Sequence, residues 1–175
     1  VENDIISSVD YNSPKVKQFS NKASTTYFTE NEDALFRKHG DIIRYFSVFK
    51  TINKSWKYVS DPSEKEHFAK ASESIQSMAG DCDDHAILMS ASIMAVGGRS
   101  RIVWVKNHAF PVVWVANDKY EYNFEVKPIL HELYNDDEDF GVLKNKEGIW
   151  LNFDYTNSYP GGPFIDKDVI KLIEL

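Results

Sequence analysis

The chain has 175 residues, 42% hydrophobic and 14% aromatic, with 20 basic against 27 acidic side chains and a formal charge of −7. That length and apolar fraction suit one domain with a sizeable core. The acidic balance excludes the basic footprint of a nucleic-acid binder, no stretch is long and apolar enough to span a bilayer, and a single cysteine excludes an internal disulfide and a Cys-rich zinc site.

The chain opens Val1-Glu2-Asn3 without a methionine. The expectation is a processed or truncated chain, part of something larger and carried outside the cytoplasm. Residues 1–13 are polar and read as an arm. Ser13-Pro14 starts a helix with Val16 and Phe19 on one face. Arm and first helix fill residues 1–30, and residues 31–175 form the core of what is a single domain overall. Asn31-Glu32-Asp33 leads into Ala34, Leu35 and Phe36. From Asp41, the spacing of Ile42, Ile43, Phe46, Phe49 and Ile52 predicts a core helix to Asn53. Trp56, Tyr58 and Val59 alternate with polar residues as a short extended segment, Asp61-Pro62-Ser63 is a turn, and Glu64 to Met78 is a weakly helical, polar connection.

Next comes Gly80-Asp81-Cys82-Asp83-Asp84-His85-Ala86. The one cysteine opens an apolar-periodic helix that ends at Gly97-Gly98. The period then becomes strand-like. Arg101–Val105 is one strand and His108–Val115 the next, with Pro111 marking a bulge or a locally unpaired edge. Asn117-Asp118 is a hairpin-type turn into a strand from Tyr120 to Val126. Residues 127–148 leave the sheet and return, helical in part. Their acidic run, Asp136-Asp137-Glu138-Asp139, is a solvated face able to attract a basic peptide or amine. Ile149–Asp154 is a further strand, Tyr159-Pro160-Gly161-Gly162-Pro163 a rigid loop, and Asp168–Leu175 a short amphipathic end. Helices first and strands afterwards predict an α+β layer arrangement.

A helix N-terminus carries partial positive charge and free N–H groups. A free thiol titrates near pH 8.5, and such surroundings favour the thiolate. Cys82 is therefore a candidate nucleophile, and a nucleophile needs a base and a group to orient that base. His108, at a strand start, is the best base among His39, His67, His85, His108 and His131. Asp154, at another strand end, can orient it. Each has a plainer reading: Cys82 as a small buried hydrophobe, His108 as a satisfied strand-end histidine, Asp154 as a turn cap. Asp81, Asp83 and Asp84 suit the helix dipole but oppose a thiolate. A metal site built from Asp83, Asp84, His85 and His108 is disfavoured because adjacent helical residues diverge by about 100°. His85 shares a face with Cys82 and reads mainly as a packing residue. Trp104 and Trp114 read as strand core or cleft wall, and Tyr155, Tyr159 and Phe164 as loop aromatics that pack or line a cleft.

Together, the Gly80–Ala86 segment, Asn107-His108-Ala109-Phe110 and Trp150-Leu151-Asn152-Phe153-Asp154-Tyr155-Thr156 resemble the three-motif core of the transglutaminase-like superfamily. That pattern has a glycine two before a helix-opening cysteine, a His-Ala-aromatic strand and an Asp-x-Thr strand end. Trp56-Lys57-Tyr58-Val59-Ser60-Asp61-Pro62 resembles the segment preceding the cysteine in microbial members. The resemblance runs from Asp41 to Thr156. It implies a papain-like fold, with the cysteine-bearing helix packed on an antiparallel β-sheet and additional N-terminal helices. By position it makes Cys82 the nucleophile, His108 the base and Asp154 its orienting partner, with no cofactor and no metal. The implied chemistry is acyl transfer from a protein or peptide amide through a thioester, resolved by water or an amine. Hydrolysis, as by a protease or amidase, is favoured over cross-linking. The Cys82 N–H is the first oxyanion donor, with Gln76 or Trp56 as the second. Asn107 in place of the frequent glycine, and the long 127–148 excursion, depart from the pattern and bear on the substrate cleft. The alternative is a non-catalytic protein-binding module on the same fold. Substrate, oligomeric state and compartment are not fixed by these residues.

Overall fold

The computed structural model describes residues 1–29, 32–62, 66–135 and 141–175. The acidic run 136–139 lies outside them. Four helices come first: α1 Glu2–Ser8, α2 Pro14–Ala23, α3 Ala34–Lys38 and α4 Gly40–Ser55. The spacing of apolar residues that predicted α4 is the spacing of its buried face, since Ile42, Ile43, Phe46, Phe49 and Ile52 are all buried. The first thirteen residues, expected as a polar arm, instead carry α1, because Ile5 is fully buried in the main core. One apolar side chain on a polar turn suffices to dock it, and full burial of an isoleucine contributes roughly 1.5–3 kcal/mol.

A small parallel pair follows, β1 Lys57–Tyr58 with β2 Ala79–Gly80, and α5 Ala71–Ser77 lies between them in sequence. Its register sets Lys57 against Ala79 and Tyr58 against Gly80, which brings the Trp56 segment to the start of α6, Cys82–Ala95. Every residue of α6 from Asp83 to Ile93 is buried. A helix buried on all faces is the centre of a core, and this one packs against β3 Ser100–Val105 and β4 His108–Ala116 on one side and against α2, α4 and α5 on others.

The remaining strands are β5 Val142–Asn145, β6 Gly148–Asn152 and β7 Lys171–Glu174. They complete a five-stranded antiparallel sheet in the order β5-β6-β4-β3-β7. The fold is thus α+β, a cysteine-bearing helix packed on an antiparallel sheet, as expected. Ala109, Val113 and Val115 of β4 join the core around α6, while Phe110 and Val112 point into a second, smaller cluster with Val103, Val105 and Trp150. Pro111 sits in the central strand, opposite Ile102 of β3. Its carbonyl accepts the Phe153 N–H at 2.9 Å, so its missing donor falls on the β6 side, just beyond the Val112–Asn152 pair that ends that ladder.

The strand expected over Tyr120–Val126 is not present. That stretch is α7 Lys119–Glu121 followed by a π-helical turn, Tyr122–Val126, and then α8 Lys127–Tyr134. Asp118 caps the start, its Oδ1 accepting the Glu121 N–H at 2.8 Å. Tyr122 and Val126 are buried four residues apart, while Tyr120 and Phe124 pair outside with ring centroids 4.8 Å apart. Aromatics on both faces imitate a strand's alternation. Among the described residues no helix is long and apolar enough to cross a membrane.

Candidate active site

Three chain features deliver three side chains to one place. Asp81 caps α6, its carboxylate accepting the Asp84 N–H, so Cys82 takes the first helical position. An N–H there has no intrahelical acceptor. The thiol is half-buried rather than sealed in the core. His108 is set by the β3–β4 hairpin, where Val105 pairs with His108 and Asn107 turns the chain at φ +61°. That left-handed conformation suits Gly and Asn, which explains why asparagine stands where a glycine is common. Asp154 follows β6 and is fully buried. Its backbone N–H donates to Asn152 Oδ1 at 3.0 Å, and the Asn152 amide donates to the Gly162 and Pro163 carbonyls. Asn152 thereby ties the end of β6 to the glycine loop.

His108 Nε2 lies 2.7 Å from Asp154 Oδ2, both side chains being buried. With Nε2 so engaged, Nδ1 is the ring atom left for Cys82, whose thiol is near enough to act on the ring's charge. Burial pulls the imidazole's pKa down, but the bond to Asp154, the adjoining Cys82 and the charges of both outweigh it and raise it to about 9. The ring is held as imidazolium at neutral pH. Asp154 also accepts the Thr156 N–H at 3.4 Å, as a turn cap does.

Around this line stands an aromatic shell. His85 is fully buried, its Nε2 within 2.8 Å of Asn53 Oδ1, and burial lowers its pKa to about 3. It is therefore neutral. Trp56 and Tyr155 meet it edge-on at 5.2 and 5.1 Å, and Tyr155 also stands 6.0 Å from His108 and stacks on Tyr58 at 6.1 Å. Burial and the nearby Cys82 and Asp154 keep the Tyr155 phenol protonated. Trp56 Nε1–H is a buried donor with no acceptor among the described residues. Gln76 is exposed on α5. Trp104 and Trp114 lie on the sheet, and Phe164 packs on Phe110 at 5.3 Å. His39, His67 and His131 belong to other parts of the chain. Asn53 and Asn152 are the neighbours that sequence reasoning left without a role. The Asn53–His85 contact joins residues 32 apart on different helices, which no local pattern signals.

The acids beside Cys82 converge. One carboxylate oxygen from each of Asp81, Asp83 and Asp84 lies within 4.8 Å of the others. The expected divergence of Asp83 and Asp84 neglected side-chain reach and the cap residue Asp81, which lies outside the helix and folds back over it. Burial first, then the bond and charge of Asp81, raise the Asp83 carboxyl to about 9, and its Oδ1 has no hydrogen-bond partner. Asp84 Oδ1 accepts the Ala69 N–H at 2.8 Å. Oxygen-only donors of this kind fit a hard divalent cation. His85 and His108, turned to Asn53 and Asp154, are not among them.

No protein-family model matches the chain, and no curated protein matches it. Among solved structures the chain is similar to Legionella pneumophila LapG in its calcium-bound form, at 18% identity and a TM-score of 0.41, over 89% of this chain and 81% of that one. A second Legionella pneumophila LapG structure aligns at 16% identity and a TM-score of 0.38, over 83% and 74%.

Proposed function

We propose that this chain is a cysteine enzyme that cleaves or transfers the acyl group of protein or peptide amides through a thioester on Cys82. The observation that carries the reading is His108, bonded to Asp154 at 2.7 Å, with Cys82 near enough to act on its charge, and held protonated to about pH 9. A thiol beside such a ring gives up its proton to it and becomes the nucleophile.

The Cys82 sulfur attacks the amide carbonyl carbon, and the C=O π electrons move to the oxygen. The free N–H of Cys82 receives that oxyanion. Trp56 Nε1–H, an unsatisfied donor, is the better second contributor, with exposed Gln76 the other. Collapse re-forms the carbonyl, breaks the C–N bond and sends the amine off with the His108 proton. Neutral His108 then takes a proton from water, whose oxygen attacks the thioester and releases the acid and the thiolate. An amine in place of water gives transfer, and hydrolysis is the favoured outcome. Asp154 keeps the ring oriented and its charge balanced throughout. A divalent cation held by Asp81, Asp83 and Asp84 would displace the proton that burial keeps on Asp83 and offset the remaining negative charge that opposes the thiolate.

Intact-mass spectrometry of the chain with a pool of N-acetylated, C-amidated peptides tests the reading. It requires a hydroxylamine-labile acyl adduct on Cys82 and peptide fragments, both lost in Cys82→Ala. Peptide binding without adduct or fragments would replace it with the non-catalytic module.

A further inference from the structure

Tyr155 belongs to two places. Its ring stands edge-on to His108, and it also lines a cleft of about 500 Å³ between α4 and the segment after Asp154. That volume is in the range of small-ligand sites, roughly 300–1,000 Å³. Lys50, Asn53 and Lys54 line one wall, and Thr156, Asn157 and Ser158 the other. The chain carries a net charge of −7, yet among the described residues no carboxylate lines this cleft.

Neither lysine has a carboxylate partner among the described residues. Lys50 Nζ instead lies 5.1 Å from the ring centres of Tyr27 and Phe28, and Lys54 Nζ lies 5.2 Å from that of Tyr27. Ring faces hold an ammonium in place without neutralising it. The lysines sit four residues apart on one helix face, a spacing at which like charges repel. Asn53 adds an amide Nδ2 with no acceptor among the described residues, its Oδ1 being taken by His85. Two positioned cations and hydroxyl and amide donors on the facing wall form a receptor for an anion. Its wall at Tyr155 is shared with His108, whose ring lies 6.0 Å away.

We propose that this cleft is a substrate subsite that takes an acidic side chain of a peptide, with the Asp or Glu carboxylate held between Lys50 and Lys54. The proposal rests on the amide-processing reading above. It assigns the chain a preference for acidic peptide segments, the opposite of what the acidic run at 136–139 suggested.

The test uses two pools of N-acetylated, C-amidated peptides, alike except that every member of one carries a Glu where the other carries Gln. Blocking both ends removes terminal carboxylates, so only the side chain can answer. The wild-type chain should process the Glu pool with kcat/KM about tenfold higher, the effect of one hydrogen bond to a charged group. Lys50→Gln/Lys54→Gln should abolish the difference and Lys50→Arg/Lys54→Arg should restore it. Equal processing of both pools by the wild type, or a preference that survives the glutamine variant, overturns the subsite and leaves the enzyme standing. If neither pool is processed, the ¹³Cε signals of Lys50 and Lys54 decide. Shifts with the Glu pool alone support the subsite while the enzyme reading falls, and shifts with neither pool overturn both.

Discussion

Replacing Asp154 with asparagine separates the charge of the His108 partner from its shape. The side chain keeps its size and an oxygen for His108 Nε2, but loses the anion and the oxygen that accepted the Thr156 N–H at 3.4 Å. The imidazole's rise from 6.5 to about 9 corresponds to roughly 3 kcal/mol favouring the protonated ring. Asp154 contributes through both a hydrogen bond and its charge, and Cys82 supplies the rest. Removing the anion should bring the His108 midpoint down from about 9. Asp154→Ala, which also removes the acceptor and leaves burial to dominate, should bring it below the ordinary histidine value. The assay is an NMR pH titration of the His108 Cε1–H signal, assigned with His108→Gln. The sign also fixes a stability signature. A raised histidine pKa contributes stability that is full below pH 6.5 and is lost as pH rises through about 9. Urea unfolding should therefore show the wild type losing its advantage over Asp154→Asn across that window. An Asp154→Asn chain that titrates and unfolds like the wild type would refute the assignment of Asp154.

Other substitutions probe the shell. Gly80→Ala should lower stability by about 1–3 kcal/mol in urea unfolding, because a Cβ there would lie 2.5 Å from Asp84 Oδ2 and 2.6 Å from Asp84 Cβ. His85, buried neutral, contributes stability that is full above pH 6.5 and lost as pH falls through about 3. His85→Gln should flatten that acid limb in a series of thermal melts, and an unchanged limb would place the acid sensitivity elsewhere. Millimolar Ca²⁺ should raise the Tm of the wild type but not of Asp83→Asn, and equal responses would place any cation away from the three carboxylates.

The site was more legible than its surroundings. Cys82, His108 and Asp154 each stand at the end of a regular element, where short patterns of Gly, Asp and alternating apolar residues carry the signal. The glycine before the cysteine was visible as a pattern, but its reason is the Asp84 side chain folding back over it. Tyr120–Val126 misled because Tyr120 and Phe124 satisfy each other at the surface and leave only Tyr122 and Val126 to mark the helix. The edge strand β7 was read only as an amphipathic end, since Ile173 alone is buried and its pairing partner Ile102 is far away in sequence. No local pattern marks Lys50 and Lys54 as a site. The wall that makes them a cleft, residues 155–158, arrives about a hundred positions later.

The central claim is that Cys82 is a nucleophile made ready by His108, and one measurement addresses it directly. Cys82 is the only thiol in the chain, so iodoacetamide alkylation as a function of pH reports it without ambiguity. The account predicts a rate that stays high below pH 7 in the wild type and falls steeply there in His108→Ala. A wild-type rate that follows an ordinary thiol near pH 8.5, or that is indifferent to His108→Ala, would contradict it.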